Sequence, residues 1–387
     1  MKNLLIVINS LKAGGAERVV SILCNSLHSK YNIHLMLLEN EIEFDINPKV
    51  KIIKLNQSFE DSIFLKYLKL PITAFQLNQY CKKNNIDISL SFLSRSNYIN
   101  VFSKFYLKKY KIIISERTYI SEYLKQISIL QQNISKFLIR FLYTRADYIL
   151  SNSREALLDL KNTYKINVPS TVIQNPLPIQ NINKWIDESV EYEFKKDIFY
   201  FVHVGKLRKE KNHLMLLNAI KLLSFTNQNI KLLIIGEGEE FNKITAIINK
   251  LEIKDFVDML GLQKNPYKFI NRSNCLVLNS NFEGLPNVIL EGLACKKPII
   301  STDCKSGPRE ILYDEFNSIK NKIIEIEIAD YGILVPVGDS QQLFLAMKKM
   351  IENKSMYDTF CKTAYNRALQ FDTDAILIQY ENLLNQI

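Results

Sequence analysis

Short apolar runs alternate with longer amphipathic stretches along the chain, which is the rhythm of strand-helix-strand units. In the first half, Leu4–Ile8, Ile33–Leu38, Ile86–Phe92, Lys111–Ser115 and Tyr148–Ser151 suit strands buried on both faces of a parallel sheet. The rhythm breaks at Asn175-Pro176-Leu177-Pro178 and a polar stretch through Lys195, because proline fixes φ, removes a backbone donor and pushes its predecessor out of the helical region. It resumes at Ile198–Val204, Lys231–Gly236, Phe256–Leu260, Cys275–Asn279, Pro298–Ser301 and Gly332–Val335. Amphipathic periodicity over 341–353 and 375–384 predicts two closing helices. The expectation is an α/β protein of two doubly wound, Rossmann-like domains, at 1–180 and 181–370. A terminal helix within 371–387 is expected to pack back on the first domain.

Composition agrees with a folded chain of that size. The 387 residues are 47% hydrophobic, with 11 Gly and 10 Pro, which excludes collagen-like and disordered classes. Charge is unevenly placed. Residues 1–185 hold 25 Lys and Arg against 13 Asp and Glu, whereas the remainder holds 25 against 27, so the whole net charge of +10 belongs to the first half. Such asymmetry points to an anionic partner, a membrane surface or nucleic acid, against a merely solvated basic face. Six scattered cysteines without C-x-x-C spacing suit a reducing compartment. The first residues lack a signal-peptide cleavage pattern, and no apolar stretch reaches about 18 residues. A cytoplasmic location with peripheral membrane contact is therefore expected.

The segment with the most chemistry runs from Asn279 to Ala294, after an apolar strand and into a helix. Gly284 permits close approach, Pro286 suits the first helical position, and Glu283 falls on the loop. Asn287 and Glu291, four apart, share a helix face. A helix start at the carboxyl end of a parallel strand attracts anions, so a diphosphate fits against the amides of Asn287 and Val288, with Leu285 counted among the donor-binding residues. Glu291, one turn in, suits a ribose diol. A second cluster, Gly205-Lys206-Leu207-Arg208-Lys209-Glu210-Lys211, follows the second half's first strand. Gly205 lets backbone approach a ligand, and Lys206 and Lys211 neutralise a leaving diphosphate.

These segments occur in order with Gly14-Gly15-Ala16-Glu17-Arg18, Ser115-Glu116-Arg117, Gly236-Glu237-Gly238 and Ser306-Gly307-Pro308-Arg309-Glu310. Together they resemble the retaining glycosyltransferases of family 4. That resemblance implies a GT-B fold, in which two Rossmann-like domains face a central cleft. It implies that Glu283 contacts the donor sugar, Glu291 the ribose, and Lys206 with Lys211 the diphosphate. Members carry Arg where this chain has Lys206, with Arg208 close by, and many carry His where it has Glu116-Arg117. Gly14, Gly15 and Arg117 are then the first domain's contribution to phosphate or acceptor. The implied donor is a UDP-sugar serving as substrate, with no cofactor and no metal, and the implied acceptor is a polyprenyl-diphosphate-linked glycan of bacterial O-antigen, capsule or glycoprotein assembly.

Four further signals carry less. Asp372-Thr373-Asp374 spells a metal-binding D-x-D, but it precedes a helix, where Asp and Thr are ordinary caps. Gly236-Glu237-Gly238 lacks the third glycine of a dinucleotide fingerprint. His203 ends an apolar strand and reads as a satisfied core residue. Lys66-Tyr67-Leu68-Lys69 and the run from Lys104 to Lys111 interleave aromatics with cations, which suits a membrane interface or an aromatic-stacking nucleic-acid surface alike. Because members of the resembled family often extend lipid-linked glycans, the resemblance favours the membrane over a merely solvated face, with nucleic acid behind. A sugar-nucleotide epimerase on the same fold and a non-catalytic membrane scaffold are the competing functions. A hydrolase using Glu283 and Glu291 fits poorly beside a diphosphate-binding helix start.

Overall fold

The computed structural model describes residues 1–12, 14–55, 57, 63–106, 109–315 and 322–387. The chain forms two compact units, Met1–Pro176 with Thr373–Ile387, and Leu177–Asp372. The division thus falls within the Pro176-Leu177-Pro178 break, a few residues before 181.

The first unit is built on strands β1 (Asn3–Ile8), β2 (Asn32–Leu37), β3 (Lys51–Lys54), β4 (Ile88–Phe92), β5 (Lys111–Glu116), β6 (Tyr148–Ser151) and β7 (Ser170–Val172). They form one parallel sheet in the order β3-β2-β1-β4-β5-β6-β7. Leu4 to Ile8 are wholly buried, as a central strand covered by helices on both faces requires. The helix Thr373–Gln386 completes this unit. Its Ile376, Leu377, Tyr380, Leu383 and Leu384 follow helical spacing and join Val19, Val20 and Leu23 in one core cluster. Lys30 pairs with Glu381 at 2.7 Å and Lys2 donates to the Leu384 carbonyl at 2.9 Å, closing its edges.

The second unit repeats the plan with β8 (Phe199–Val204), β9 (Ile230–Ile235), β10 (Val257–Gly261), β11 (Cys275–Leu278), β12 (Ile299–Thr302), β13 (Glu327–Ile328) and β14 (Gly332–Val335). The order is β10-β9-β8-β11-β12-β14-β13, parallel except for the β13 and β14 pair. These two sheets are the doubly wound Rossmann-like layers expected of a GT-B protein. In each sheet the strand order reverses beside the first strand, between β1 and β4 and between β8 and β11. Loops leaving the carboxyl ends of two strands at such a switch point diverge and open a crevice, the usual ligand position in open α/β sheets.

Several aromatic and cationic residues that read as a basic interface turn inward. Tyr110 is buried, Tyr67 hydrogen-bonds Ser135 at 3.1 Å, and Lys66 lies 3.6 Å from Glu39. Lys104 donates to the Arg145 carbonyl at 2.7 Å. Phe105 is half exposed, and Leu107 and Lys108 lie outside the described residues.

Candidate functional site

The β8 and β11 loops meet at the second unit's switch point and are laced together by backbone. After β8 the chain passes Gly205, makes one tight turn at Lys209–Lys211, and enters the helix His213–Ser224 through Asn212 in the left-handed conformation. Asn tolerates that conformation, and its side chain caps the helix by accepting from the Met215 amide. The Asn279 side chain donates to the carbonyls of Lys211 and Asn212. The Asn281 amide donates to the Glu210 carbonyl at 2.7 Å, and Asn212 Nδ2 to Asn281 Oδ1 at 3.0 Å. Lys211 is thereby aimed at the β11 loop. Its ammonium donates to Glu283 Oε1 at 2.6 Å, and Ser280 Oγ donates to the same oxygen at 2.6 Å. Both charged side chains are 16% exposed, so the pair sits at the mouth of the crevice with one face open to a ligand.

The β12 loop fixes Glu283 from the other side. Glu283 N donates to the Lys305 carbonyl at 2.7 Å, Ser306 N donates to the Glu283 carbonyl at 3.2 Å, and Ser306 Oγ to the Gly284 carbonyl at 2.8 Å. Gly307, at φ +99°, allows this approach, since a Cβ there would stand 2.6 Å from the Gly284 oxygen and from Pro286 Cδ. Buried Thr302 donates to the Ser280 carbonyl at 2.6 Å. Three strand ends therefore position one carboxylate.

The helix begins one residue later than the sequence suggests. It spans Asn287–Ala294, and Pro286 stands at the cap with φ −73° and ψ 105°, extended backbone that a residue without N–H can hold at no cost in hydrogen bonds. Asn287 and Val288 open the first turn, ahead of any intrahelical acceptor, and Leu285 is buried beneath them. Glu291 is 5% exposed, with the Tyr267 hydroxyl 3.4 Å from Oε1 and Tyr267 stacked on Trp185 at 5.4 Å. Among the sequence candidates, then, Lys211 and Glu283 touch directly, and a Cβ on Gly205 would contact the Lys211 side chain at 3.5 Å. Lys206 and Arg208 lie on the exposed part of the loop, with Arg208 4.0 Å from Glu210.

Gly236 and Gly238 serve packing between loops. A side chain on either would strike the carbonyl of Gly205 or Leu207, while Leu207 N donates to the Glu237 carbonyl at 2.9 Å. In the first unit, Gly14 precedes the helix Gly15–Leu27 and the Glu17 carboxylate folds over it. Arg117 is 6% exposed. Its guanidinium donates to Asn175, lies 3.4 Å from the Tyr380 hydroxyl and packs over the Phe92 ring, so it ties the last helix to the sheet edge and does not face solvent. Beside it, burial raises the Glu116 carboxyl to about 6 against hydrogen bonds from Tyr143 and Arg117 N.

His203 is less satisfied than a core histidine should be. Its Nδ1 lies 3.1 Å from the Val277 carbonyl, but Nε2 has no hydrogen-bond partner, nor has Nε2 of His213, whose ring packs edge-on at 4.9 Å. Burial holds both rings neutral. It drives His203 well below its ordinary value and His213 to about 4, with the Lys211 charge adding to both. Folded values below the unfolded 6.5 mean that the unfolded chain binds more protons, so this stabilisation is full above pH 6.5 and is lost as pH falls through about 4. Thermal unfolding of His213→Phe should therefore lose less stability than wild type between pH 6.5 and 4, by about 3 kcal/mol.

Sequence reasoning passed over Asn279, Ser280, Thr302 and Tyr267. Asn279 opens the Glu283 segment, but nothing in its spacing reveals that it reaches the Lys211 and Asn212 carbonyls, and Ser280 carries no signal that it donates to Glu283. Among the described residues no group of three or more His, Cys, Asp or Glu is placed to hold a metal ion. Thr373 opens the last helix with Asp374 in its first turn, where a carboxylate complements the helix dipole.

Residues 186–367, which include the Lys211 loop, Glu283 and the Glu291 helix, match the family described as glycosyl transferases group 1. The N-acetylgalactosamine-N,N'-diacetylbacillosaminyl-diphospho-undecaprenol 4-alpha-N-acetylgalactosaminyltransferase of Campylobacter jejuni is 33% identical over 375 residues, 96% of each chain. The chain belongs to the group 1 glycosyl transferases. Solved structures of this glycosyltransferase fold superpose along its full length. Sucrose-phosphate synthase from Thermosynechococcus elongatus gives a TM-score of 0.80 at 16% identity, covering 100% of this chain and 99% of that one. Anabaena HepE in complex with UDP-glucose gives 0.74 at 17% identity, covering 100% of both.

Proposed function

We propose that this glycosyltransferase moves a hexose or N-acetylhexosamine from a UDP-sugar to a glycan borne on a polyprenyl diphosphate, in bacterial O-antigen, capsule or glycoprotein glycan assembly. The observation that carries the reading is the Lys211–Glu283 pair at the switch point, 2.6 Å apart and held by three strand ends beside the start of the Glu291 helix. The Campylobacter jejuni relative acts on a diphospho-undecaprenol glycan and HepE binds UDP-glucose, which supports the same classes of acceptor and donor here.

In this reading Glu291 accepts hydrogen bonds from the ribose hydroxyls, Glu283 orients donor-sugar hydroxyls, and the diphosphate lies between them. As the anomeric bond lengthens, positive charge grows on the sugar and negative charge on the departing diphosphate. Lys211, Lys206 and the first-turn amides of Asn287 and Val288 stabilise that negative charge, each such donor being worth roughly 10² to 10³ in rate. No metal ion and no cofactor enter the scheme, and the anomeric configuration is retained. Activity is expected to be unchanged by EDTA, and strict dependence on a divalent cation would overturn the scheme. In this reading the enzyme meets its lipid-borne acceptor as a peripheral protein on the cytoplasmic face of the inner membrane; among the described residues no helix is long and apolar enough to cross a membrane.

The test is a panel of radiolabelled UDP-sugars offered with a bacterial lipid extract. Label should pass to the lipid fraction with one added sugar and retained configuration. Label that stays in an epimerised nucleotide sugar would identify an epimerase, and no conversion of any donor would support a scaffold.

A further inference from the structure

In the first unit, the helix Ile129–Leu142 buries Ser135, Ile139 and Leu142 and turns a stripe of other residues to solvent. A solvated stripe is normally filled with opposite charges in i, i+4 pairs. This one carries Ile129, Leu130 and Phe137, which are 76%, 68% and 64% exposed, with Phe141 partly exposed beside them. The rings are held in place. Phe137 and Phe141 stack at 5.6 Å with 8° between planes, and Phe105, from the turn Ser103–Phe105, stacks on Phe141 at 5.9 Å and 12°. Arg145 places its guanidinium 4.0 Å from the Phe141 centroid. Lys136 and Arg140 stand on the same stripe, and with Phe137, Phe141 and Arg145 they line one shallow surface depression.

Cations predominate around this face. Residues 128–146 contain Lys136, Arg140 and Arg145 and no Asp or Glu, and Asp147, which follows, is paired with Lys104 at 3.4 Å. Exposed aliphatic and aromatic side chains bordered by cations match the boundary of an anionic bilayer, where rings sit at headgroup depth and cations meet lipid phosphate. Nucleic acid is a poorer match, because base stacking needs open ring faces and Phe141 already has two rings and a guanidinium against it.

We propose that this face docks the first unit on anionic phospholipid, with Ile129, Leu130 and Phe137 entering the acyl boundary while Lys136, Arg140 and Arg145 contact headgroup phosphates. The proposal gives a place on the molecule to the peripheral contact invoked under the proposed function and rests on that reading only for its purpose. Neither Phe137 nor Arg140 belongs to the donor site.

The experiment is flotation of the full-length protein with phosphatidylglycerol/phosphatidylcholine vesicles and with pure phosphatidylcholine vesicles. Wild type should bind the anionic vesicles and lose binding as salt rises. Leu130→Asp with Phe137→Asp should lower partitioning by at least about tenfold, and Arg140→Glu by about fivefold or more, with wild-type thermal midpoints showing that the fold is intact. Wild-type partitioning in these variants, equal binding to neutral vesicles, loss of a dimer in place of vesicle binding, or preference for an oligonucleotide would each overturn the proposal. Flotation needs neither donor nor acceptor, so its failure is separate from failure of sugar transfer in the labelled-donor assay.

Discussion

Replacing Glu283 with alanine is expected to lower kcat/KM for sugar transfer by about 10³-fold or more, and Lys211→Ala by about 10² to 10³, with both proteins folded. A loss of 10³ corresponds to about 4 kcal/mol of transition-state stabilisation. Two effects sum in Glu283→Ala. Under the proposed function the donor sugar loses the carboxylate that orients it, and Lys211 loses the partner that holds its ammonium at 2.6 Å, so the cation assigned to the leaving diphosphate is no longer fixed. Stability should fall by about 1 to 3 kcal/mol without unfolding the protein, because the pair is only 16% exposed and removing one partner leaves the other charge largely buried without its ion. The Asn279, Asn281 and Ser306 bonds that build the loops do not pass through either charged group. Steady-state kinetics with circular dichroism decides the matter, and wild-type turnover in either variant would refute the site.

Gly307→Ala should instead act through the fold. A residue with a side chain is strained at φ +99°, at a cost of about 1 to 3 kcal/mol, and the added Cβ would press on the Gly284 oxygen and Pro286 Cδ, both at 2.6 Å. Relief requires the 284–286 loop to move, and that loop sets the start of the Glu291 helix. The second unit is expected to lose about 2 to 4 kcal/mol, or roughly 5 to 15 °C in thermal midpoint, and donor affinity should fall with it. Gly338→Ala is the control. Its φ is +81° with nothing within 4 Å of an added Cβ, so strain is present without collision. Equal destabilisation of the two variants would mean that backbone strain alone is at work and that the β12 loop does not brace Glu283.

Both sheets were legible because their central strands are uninterrupted apolar runs, as in Leu4 to Ile8. The strands that escaped are edge or near-edge segments with little to bury: β3, Lys51–Lys54, is mostly exposed, β7 has three half-buried residues, and β13 has two residues. Without burial there is no hydrophobic period to read. At the site, the Glu283 and Glu291 spacing and the basic β8 loop stood out because their residue types are costly to place at a strand end without a purpose. Asn279 and Thr302 did not, since their side chains act on neighbouring strand ends at residues distant in sequence, and Ser280, whose hydroxyl reaches Glu283 three residues on, looks in sequence like any loop serine. The inward turn of Arg117 was equally hidden, as its partners Asn175 and Tyr380 come from the end of the first unit's main segment and from the last helix. Phe137 and Phe141 carried no signal of their own in the sequence; only the folded helix places them toward solvent.

Under the proposed function Glu291 holds the nucleoside and Glu283 the sugar across one diphosphate. Calorimetric titration of wild type, Glu291→Gln and Glu283→Gln with UDP and with the UDP-sugar that the transfer assay selects tests it directly. Glu291→Gln should weaken both ligands by about tenfold or more, whereas Glu283→Gln should bind UDP as wild type does and lose only the additional affinity that the sugar confers. Unchanged UDP binding in Glu291→Gln, or UDP binding lost in Glu283→Gln, would contradict that division of the site.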